Sequence, residues 1–310
     1  MRNPEVIVIT GPTATGKTKL GIMLAKVTDG EIVSADSMQV YKHMNIGTSK
    51  PQKSEMLDIP HYMIDNVSPE ENYSVARYVK EAGACIDDII ARNKQPILVG
   101  GSGLYIDSLL SGQGFKSRGD DDLRKELEAK YDSLGGEALL NELSEFDPGS
   151  AEKLNANDKK RVVRAIEVYK TTGKTISEHN AESVTITPKY SAMKFALTFT
   201  ERAALYEKID RRVDLMAAAG LEQEVRNLLD MNVNQNSTAM QAIGYKEMVN
   251  AISGHCSIDE AVDKIKMESR RYAKRQLTWL RRDDKIKWIT WDAEPDFEQG
   301  REMILRDIIY

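Results

Sequence analysis

Residues 5–28 read EVIVIT, GPTATGKT and KLGIMLAKVT, and no other stretch constrains the chain as strongly. The first part is a short run rich in Val and Ile between Pro4 and Gly11, the pattern of a strand buried on both faces. The last part carries Leu20, Met23, Leu24 and Val27 at helical spacing. Between them Gly11, Gly16, Lys17 and Thr18 fit G-x-x-x-x-G-K-[ST], the P-loop. A strand that turns sharply into a helix, with its amides aimed at one anion, needs glycine at the bends. The helix N-terminus then adds free N–H groups and a partial positive charge. Gly11, Pro12, Thr13, Ala14, Thr15, Gly16, Lys17 and Thr18 are therefore read as a diphosphate cradle. Lys17 would reach the outer phosphate, the Thr18 hydroxyl would ligate Mg²⁺, and Thr13 and Thr15 would offer hydroxyl donors.

The remaining chain alternates strands and helices. EIVSAD (31–36) reads as a second parallel strand ending at Asp36, followed by Ser37, Met38 and Gln39. In open α/β sheets ligands sit beyond the carboxyl ends of the strands, so Asp36 faces the phosphate loop as a proton acceptor or as a Mg²⁺ partner through water. Its bland reading is a capping turn; Gln39 reads as a base-edge contact or as polar surface. Lys50, in the loop 44–51, is a phosphate contact or a solvated lysine. A short strand is expected at 61–67, a helix at 73–92, and strand, glycine turn and helix at 95–110. Gly100, Gly101 and Gly103 there would let a substrate approach the backbone, with Ser102 a contact. That strand ends in glycines and lacks a Walker B Asp, and no Asn-Lys-x-Asp stretch exists. The chain is thus unlike a motor ATPase or a switch GTPase.

SGQGFKSRGDDD (111–122) reads as a linker, and 115–190 as an all-helical insertion of the kind that closes over a reacting centre, with helices at 123–131, 137–146 and 158–172. The core then resumes over 191–310, after a first part at 1–114. It comprises a strand at 194–200, two helices at 201–230 broken at Gly220, a helical run at 238–248 with a kink or a close contact at Gly244, a long helix at 257–284 and a closing strand at 286–292. Nothing is read from the tail beyond it. Arg211 and Arg212 are placed near a helix start, where one would offset charge on a leaving group or pair with Asp210 and Asp214. Between 264 and 287 ten basic residues face three acidic ones, with Tyr272 and Trp279 among them. Lys264, Arg271, Arg275 and Arg282 share one side, the pattern of a nucleic-acid backbone site.

Composition bounds the rest. A net charge of −5 over 310 residues excludes wholesale nucleic-acid coating, so a local patch must do that work. Cys85 and Cys256 make no disulfide framework or zinc spacing, and His43, His61, His179 and His255 are scattered. No apolar run approaches the roughly 20 residues of a membrane span, and no signal peptide is recognisable; a cytoplasmic protein without an obligate protein partner is expected. The residues leave three classes open: a group transferase acting on a phosphorylated donor, a small-molecule kinase using ATP, and a non-catalytic nucleotide-switched RNA-binding protein.

GPTATGKT, SADSMQVYKHMNIGTSKP, VGGSGLY, NDKKRVVRAIEV, RRVDLMAAAGLEQEV, QAIGYKE and RRYAKRQLTWLR follow one another in this order. Together they resemble the tRNA dimethylallyltransferase, or tRNA isopentenyltransferase, family over residues 5–292. The resemblance implies a P-loop NTPase-like α/β core with a parallel sheet flanked by helices, dimethylallyl diphosphate as donor and the anticodon stem-loop of a tRNA as acceptor. The accepting atom would be N6 of the adenosine 3′ of the anticodon, with Mg²⁺ assisting departure of the diphosphate. It implies Asp36 as general base, catalytic roles for Thr18 and Arg212 (Arg211 being the adjacent alternative), and base reading by Asp36, Ser37, Met38 and Gln39. Ser102 stands where many members have Thr. Further tRNA contacts are implied for Arg124, for Asp158, Lys159, Lys160, Arg161 and Val162, and for Ala242, Ile243, Gly244, Tyr245, Lys246 and Glu247. The basic helix adds Arg271 and Arg275.

Overall fold

The computed structural model describes residues 5–112, 120–184 and 188–309. The expected linker at 111–122 and the break at 114/115 fall largely on residues 113–119, outside the described ones. Two compact units emerge, Met1–Leu110 with Lys189–Tyr310, and Ser111–Pro188.

The first unit is built on six strands, β1 (Val6–Thr10), β2 (Gly30–Ser34), β3 (His61–Tyr62), β4 (Gln95–Val99), β5 (Ala192–Phe199) and β6 (Lys287–Trp291). They form one parallel sheet in the order β3-β2-β4-β1-β5-β6. Its first helices are α1 (Lys17–Thr28), α2 (Lys53–Met56), α3 (Val75–Ala91) and α4 (Gly103–Ser111). Alternation along β1 explains its unbroken apolar run. Val6 and Val8 face one core with Val33 and Leu98, while Ile7 and Ile9 face another with Ile32, Ile97, Phe195 and Leu197. Because β2, β4 and β1 are neighbours, the turns after all three open on the same edge of the sheet.

Ser111–Pro188 carries α5 (Asp121–Leu134), α6 (Gly136–Ser144), α7 (Pro148–Ala151), α8 (Lys159–Thr172) and α9 (Ile176–Val184), and no strand among the described residues. Its core is Leu127, Leu139, Leu143, Val162, Val163, Ala165 and Ile166. Glu167 is fully buried here and accepts from Arg124 (2.8 Å), Arg164 (3.0 Å) and the Asp120 amide (3.1 Å). Burial pushes its carboxyl up, but the two guanidiniums outweigh burial and hold it below the ordinary value.

The chain returns to the first unit with α10 (Arg202–Ala218), α11 (Leu221–Asp230), α12 (Tyr245–Ile252), α13 (Ile258–Leu280) and α14 (Phe297–Ile309). Three readings need correction, and the tail, from which nothing was read, adds an element. The strand expected at 61–67 stops at Tyr62, because Met63 and Asp65 take positive φ and cannot extend the ladder. No single helix spans 238–248. Gly244, at φ 99°, is the N-cap of α12 and starts a helix there. The tail holds a helix after all: Ile304 is fully buried, and Gly300 packs on the Trp291 ring. Lys50 is neither solvated nor aimed at a ligand. It is buried, and its ammonium donates to Asp65 (2.5 Å), the Tyr41 carbonyl (2.8 Å) and Asn45 (3.0 Å).

Glu167→Gln should destabilise the helical unit by about 2 kcal/mol, less than a fully buried pair because both arginines keep solvent contact. The sign with pH follows from the lowered carboxyl. Its stabilisation is complete above the ordinary glutamate pKa of about 4.3 and drains away as pH falls through the lower folded value. Denaturant melts from neutral to acid pH should show that loss in the wild type and a flatter profile in the variant; equal profiles would contradict it.

Candidate active site

The glycine loop runs from Gly11 to Gly16 and hands over to α1 without a side-chain cap. Helices α3, α5, α8 and α13 are all capped by a Ser or Asp side chain. Helix α1 instead has Gly16 at its N-cap and no acid in its first turn, so its leading N–H groups stay available to an anion. Gly16 sits at φ 85°, and a Cβ there would lie 2.5 Å from the Phe297 ring. The Trp291 indole N–H donates to the Thr15 carbonyl at 3.0 Å. Strand β6 and helix α14 therefore brace the loop from behind.

Inside the loop the residues divide. The buried Thr15 hydroxyl donates to the Pro12 carbonyl (2.8 Å), which fixes the loop and removes Thr15 as a phosphate donor. Lys17 Nζ donates to the same carbonyl at 2.6 Å. The Thr13 hydroxyl accepts from Arg212, and the Thr13 amide donates to Gln276 Oε1 at 3.2 Å. Gln276 Nε2 donates to the Gly101 carbonyl at 2.9 Å, so this one buried amide ties the loop after β1 to the turn after β4. Gln276 is absent from the site residues read from sequence, although it lies on the buried stripe of α13. A polar residue with two amide hands on such a stripe was the signal.

Arg212 lies well inside α10, not near its start. Its guanidinium also donates to the Ser49 hydroxyl (2.9 Å) and the Thr48 carbonyl (3.5 Å). Arg211 is exposed and points elsewhere, so Arg212 is the arginine at the loop. Asp36 follows β2. Its Oδ1 accepts from the Met38 (2.8 Å) and Gln39 (3.3 Å) amides, while Oδ2 has no hydrogen-bond partner among the described residues. The carboxylate thus both caps its turn and keeps one oxygen open. Gln39 is pinned between Ser34 (3.2 Å) and the Thr48 carbonyl (3.3 Å). The Ser102 hydroxyl accepts from the Ser37 amide at 3.0 Å. Tyr272, expected among the basic residues of a nucleic-acid face, is half-buried beside Asp36 and Ser102; burial and the Asp36 charge push its phenol up to about 12, with the Ser102 hydrogen bond opposing.

The glycines after β4 serve the protein itself. A Cβ would meet the Ala35 carbonyl at Gly100 (2.2 Å), Gln276 at Gly101 (2.3 Å) and the Trp279 ring at Gly103 (2.6 Å).

Burial, aided by the Arg212 charge, pulls Lys17 down to about 7, with Asp36 opposing. Burial also lowers Arg212, again opposed by Asp36. Two cations and one carboxylate therefore share the site. Among the described residues no three His, Cys, Asp or Glu side chains cluster to hold a metal.

Other expected contacts divide similarly. Val162 is sealed in the helical core, and Tyr245 and Glu247 are buried, Glu247 accepting from the Gly244 amide (2.8 Å). Ala242, Ile243 and Lys246 remain partly exposed. Arg124 is bound to Glu167, Lys159 to Asp132 (2.6 Å), and Asp158 caps α8, while Lys160 and Arg161 are exposed. On α13 the basic residues separate by half. Lys264 and Arg271 pair with Glu268, Lys266 with Asp214 and Arg270 with Asp210. Among the described residues Lys274, Arg275, Arg281, Arg282 and Lys285 make no ion pair; Arg275 lies over Tyr272 and Arg282 over Trp279.

These features define a P-loop-like α/β protein whose glycine loop faces an acid and an arginine, with a helical unit inserted. The family model described as IPP transferase matches residues 39–283. The chain is 47% identical to the tRNA dimethylallyltransferase of Acetivibrio thermocellus over 307 residues, covering 99% of this chain and 96% of that protein. It is 47% identical over 302 residues to that of Caldanaerobacter subterraneus subsp. tengcongensis, covering 97% and 96%. Its fold is similar to the tRNA isopentenylpyrophosphate transferase of Bacillus halodurans, with TM-score 0.73, 39% identity and coverage of 98% and 96%. It is also similar to a eukaryotic dimethylallyltransferase acting on tRNA, with TM-score 0.79, 32% identity and coverage of 98% and 77%. The chain belongs to the tRNA dimethylallyltransferase family and is a prenyltransferase enzyme. That membership retires the kinase and switch readings.

A lysine lowered to about 7 is charged below that pH and neutral above it, and a bound diphosphate restores its charge. Pyrophosphate affinity should therefore fall more steeply between about pH 7 and 9 in the wild type than in Lys17→Gln, the difference approaching one proton per ligand. Calorimetry across that range checks it, and parallel slopes would contradict it.

Proposed function

We propose that the enzyme moves a dimethylallyl group from dimethylallyl diphosphate to N6 of the adenosine 3′ of the anticodon in a tRNA, with Asp36 as general base. The observation that carries this reading is the meeting of Arg212 with the glycine loop at Thr13, while the open oxygen of Asp36 belongs to the end of β2, two strands along the same edge. The C–O bond from the donor's first carbon to its diphosphate breaks, and a bond from that carbon to N6 forms. The N6 proton goes to Asp36 and the electron pair leaves with the diphosphate. Amides of the glycine loop and of the first turn of α1, with Lys17 and Arg212, stabilise the charge that builds on it. An exocyclic amine is a weak nucleophile and must leave its base stack to react, so a positioned acceptor and a site for an extruded base are both required.

Mg²⁺ fits this site: the partly exposed Thr18 hydroxyl would hold it together with diphosphate oxygens, and its charge would offset that of the leaving group. Among the described residues no helix is long and apolar enough to cross a membrane, in keeping with work in the cytoplasm on tRNA. Met38 and Gln39, on the turn that Asp36 caps, are suited to contact the base, and the unpaired half of α13 to bind phosphates.

Asp36→Asn should keep tRNA affinity within about threefold while prenylation falls by about 10²-fold or more, the scale of general-base loss. Transfer of labelled donor to unmodified tRNA measures it, and full turnover would remove Asp36 from this role. Arg275→Ala should lower the salt slope of tRNA binding by about one, and Arg271→Ala by less, since Glu268 already neutralises Arg271. Equal slopes in both variants would discard that division of the helix.

A further inference from the structure

Glu224, on α11, is buried, and its carboxylate fills a cradle formed by the chain itself. Oε2 accepts from the Asn45 and Ile46 amides at 2.8 Å each. Oε1 accepts from the Ile46 and Gly47 amides at 3.1 Å each and from the Tyr245 hydroxyl at 2.7 Å. Three consecutive amides converging on one anion form a nest, a geometry that elsewhere receives phosphate and here is filled from within. The Tyr245 ring closes on the loop as tightly. A Cβ at Gly47 would lie 2.4 Å from the Tyr245 ring.

The loop held in this way continues into Thr48 and Ser49. The Thr48 carbonyl accepts from Gln39 Nε2 (3.3 Å) and from Arg212 (3.5 Å), and the Ser49 hydroxyl accepts from Arg212 Nε (2.9 Å). Arg212 donates onward to Thr13 in the glycine loop. Glu224 touches none of the groups assigned to the chemistry, yet it fixes the acceptors that aim two of them.

We propose that Glu224 is a positioning residue for prenyl transfer, setting the 45–49 loop so that Thr48 and Ser49 hold Arg212 at the glycine loop and Gln39 beside Asp36. The proposal rests on the role given to Arg212 above. Glycine, threonine and serine in sequence have little intrinsic shape, and without an anion in the nest three amides would repel one another and the loop would open. A guanidinium displaced by about 1 Å from a developing charge can cost about 10²-fold in rate. Glutamine at 224 keeps the volume but turns an NH₂ group toward N–H donors, which opens the nest from inside.

The test is a double-mutant cycle read by steady-state prenylation of unmodified tRNA with dimethylallyl diphosphate. Glu224→Gln should lower kcat by about 10- to 100-fold while the KM for tRNA stays within about threefold. In an Arg212→Ala background the same change should cost less than about threefold, because the charged group it aims is gone and only the placing of Gln39 remains to be lost. Wild-type kcat in Glu224→Gln, or equal losses in both backgrounds, would overturn the proposal. A purely structural role predicts those equal losses. Circular dichroism and a thermal melt establish that the variants fold. If Glu224→Gln does not fold, Ser49→Ala takes its place in the cycle, removing the exposed hydroxyl that receives Arg212. Its expected loss is about 3- to 10-fold alone and none beside Arg212→Ala, and any other pattern overturns the relay. Wild-type kcat in Arg212→Ala by itself would instead sink the role of Arg212, so the two failures are distinguishable.

Discussion

A loop that grips a diphosphate must hold positive charge in a place where water is scarce, and the site is arranged around that difficulty. Lys17 and Arg212 are brought toward the same glycine loop, where burial disfavours both charges and the Arg212 charge further disfavours that of Lys17. Asp36 is the carboxylate that opposes this, standing at the end of the next-but-one strand of the sheet. It is at once the counter-charge for the two cations, the cap of its own turn and the proton acceptor proposed for the reaction. One carboxylate can hold all three roles because its two oxygens divide the work, one bound to the Met38 and Gln39 amides and one open.

The groups that hold this arrangement come from far along the chain. Gln276 joins the turns after β1 and β4, Trp291 and Phe297 support the glycine loop from behind, and Glu224 with Tyr245 fixes the loop that receives Arg212. Gln276, Trp291 and Glu224 do so by hydrogen bonds to backbone, and Phe297 and Tyr245 by ring packing, which is how a flexible glycine-rich segment acquires one conformation. In unpartnered form such buried donors and acceptors would each cost about 1–3 kcal/mol. The close packing around Gly100, Gly101 and Gly103 belongs to the same design: the small residues admit the protein's own groups rather than leaving room for a ligand.

Charge on α13 shows how composition misleads when read without neighbours. Ten basic residues between 264 and 287 read as one continuous phosphate-binding face. In the fold, Asp210 and Asp214 of α10 and Glu268 of the helix itself neutralise the first half and Asp307 pairs with Lys287, leaving Lys274, Arg275, Arg281, Arg282 and Lys285 without an ion pair among the described residues. The partners from α10 are more than fifty residues away in sequence, so no spacing rule on α13 could reveal them.

The strand, glycine loop and helix of residues 6–28, the order of later strands and helices, and Asp36 at the end of the second strand were legible from sequence because each rests on local pattern: periodicity, and glycine where the backbone must bend. Other features were not. The fate of Lys50, the sealed position of Val162, the cap at Gly244 and the helix at 297–309 depend on what packs against them. The choice of Arg212 over Arg211 was likewise beyond local reading, since adjacent residues on a helix point about 100° apart and only the neighbouring elements decide which direction is inward. The amino-acid order determined which chemistry was available, an anion-binding loop with an acid and an arginine to serve it. The tertiary structure alone decided which side chains meet, because hydrogen bonds and ion pairs between distant segments are set by three-dimensional packing and leave no periodic trace in the chain.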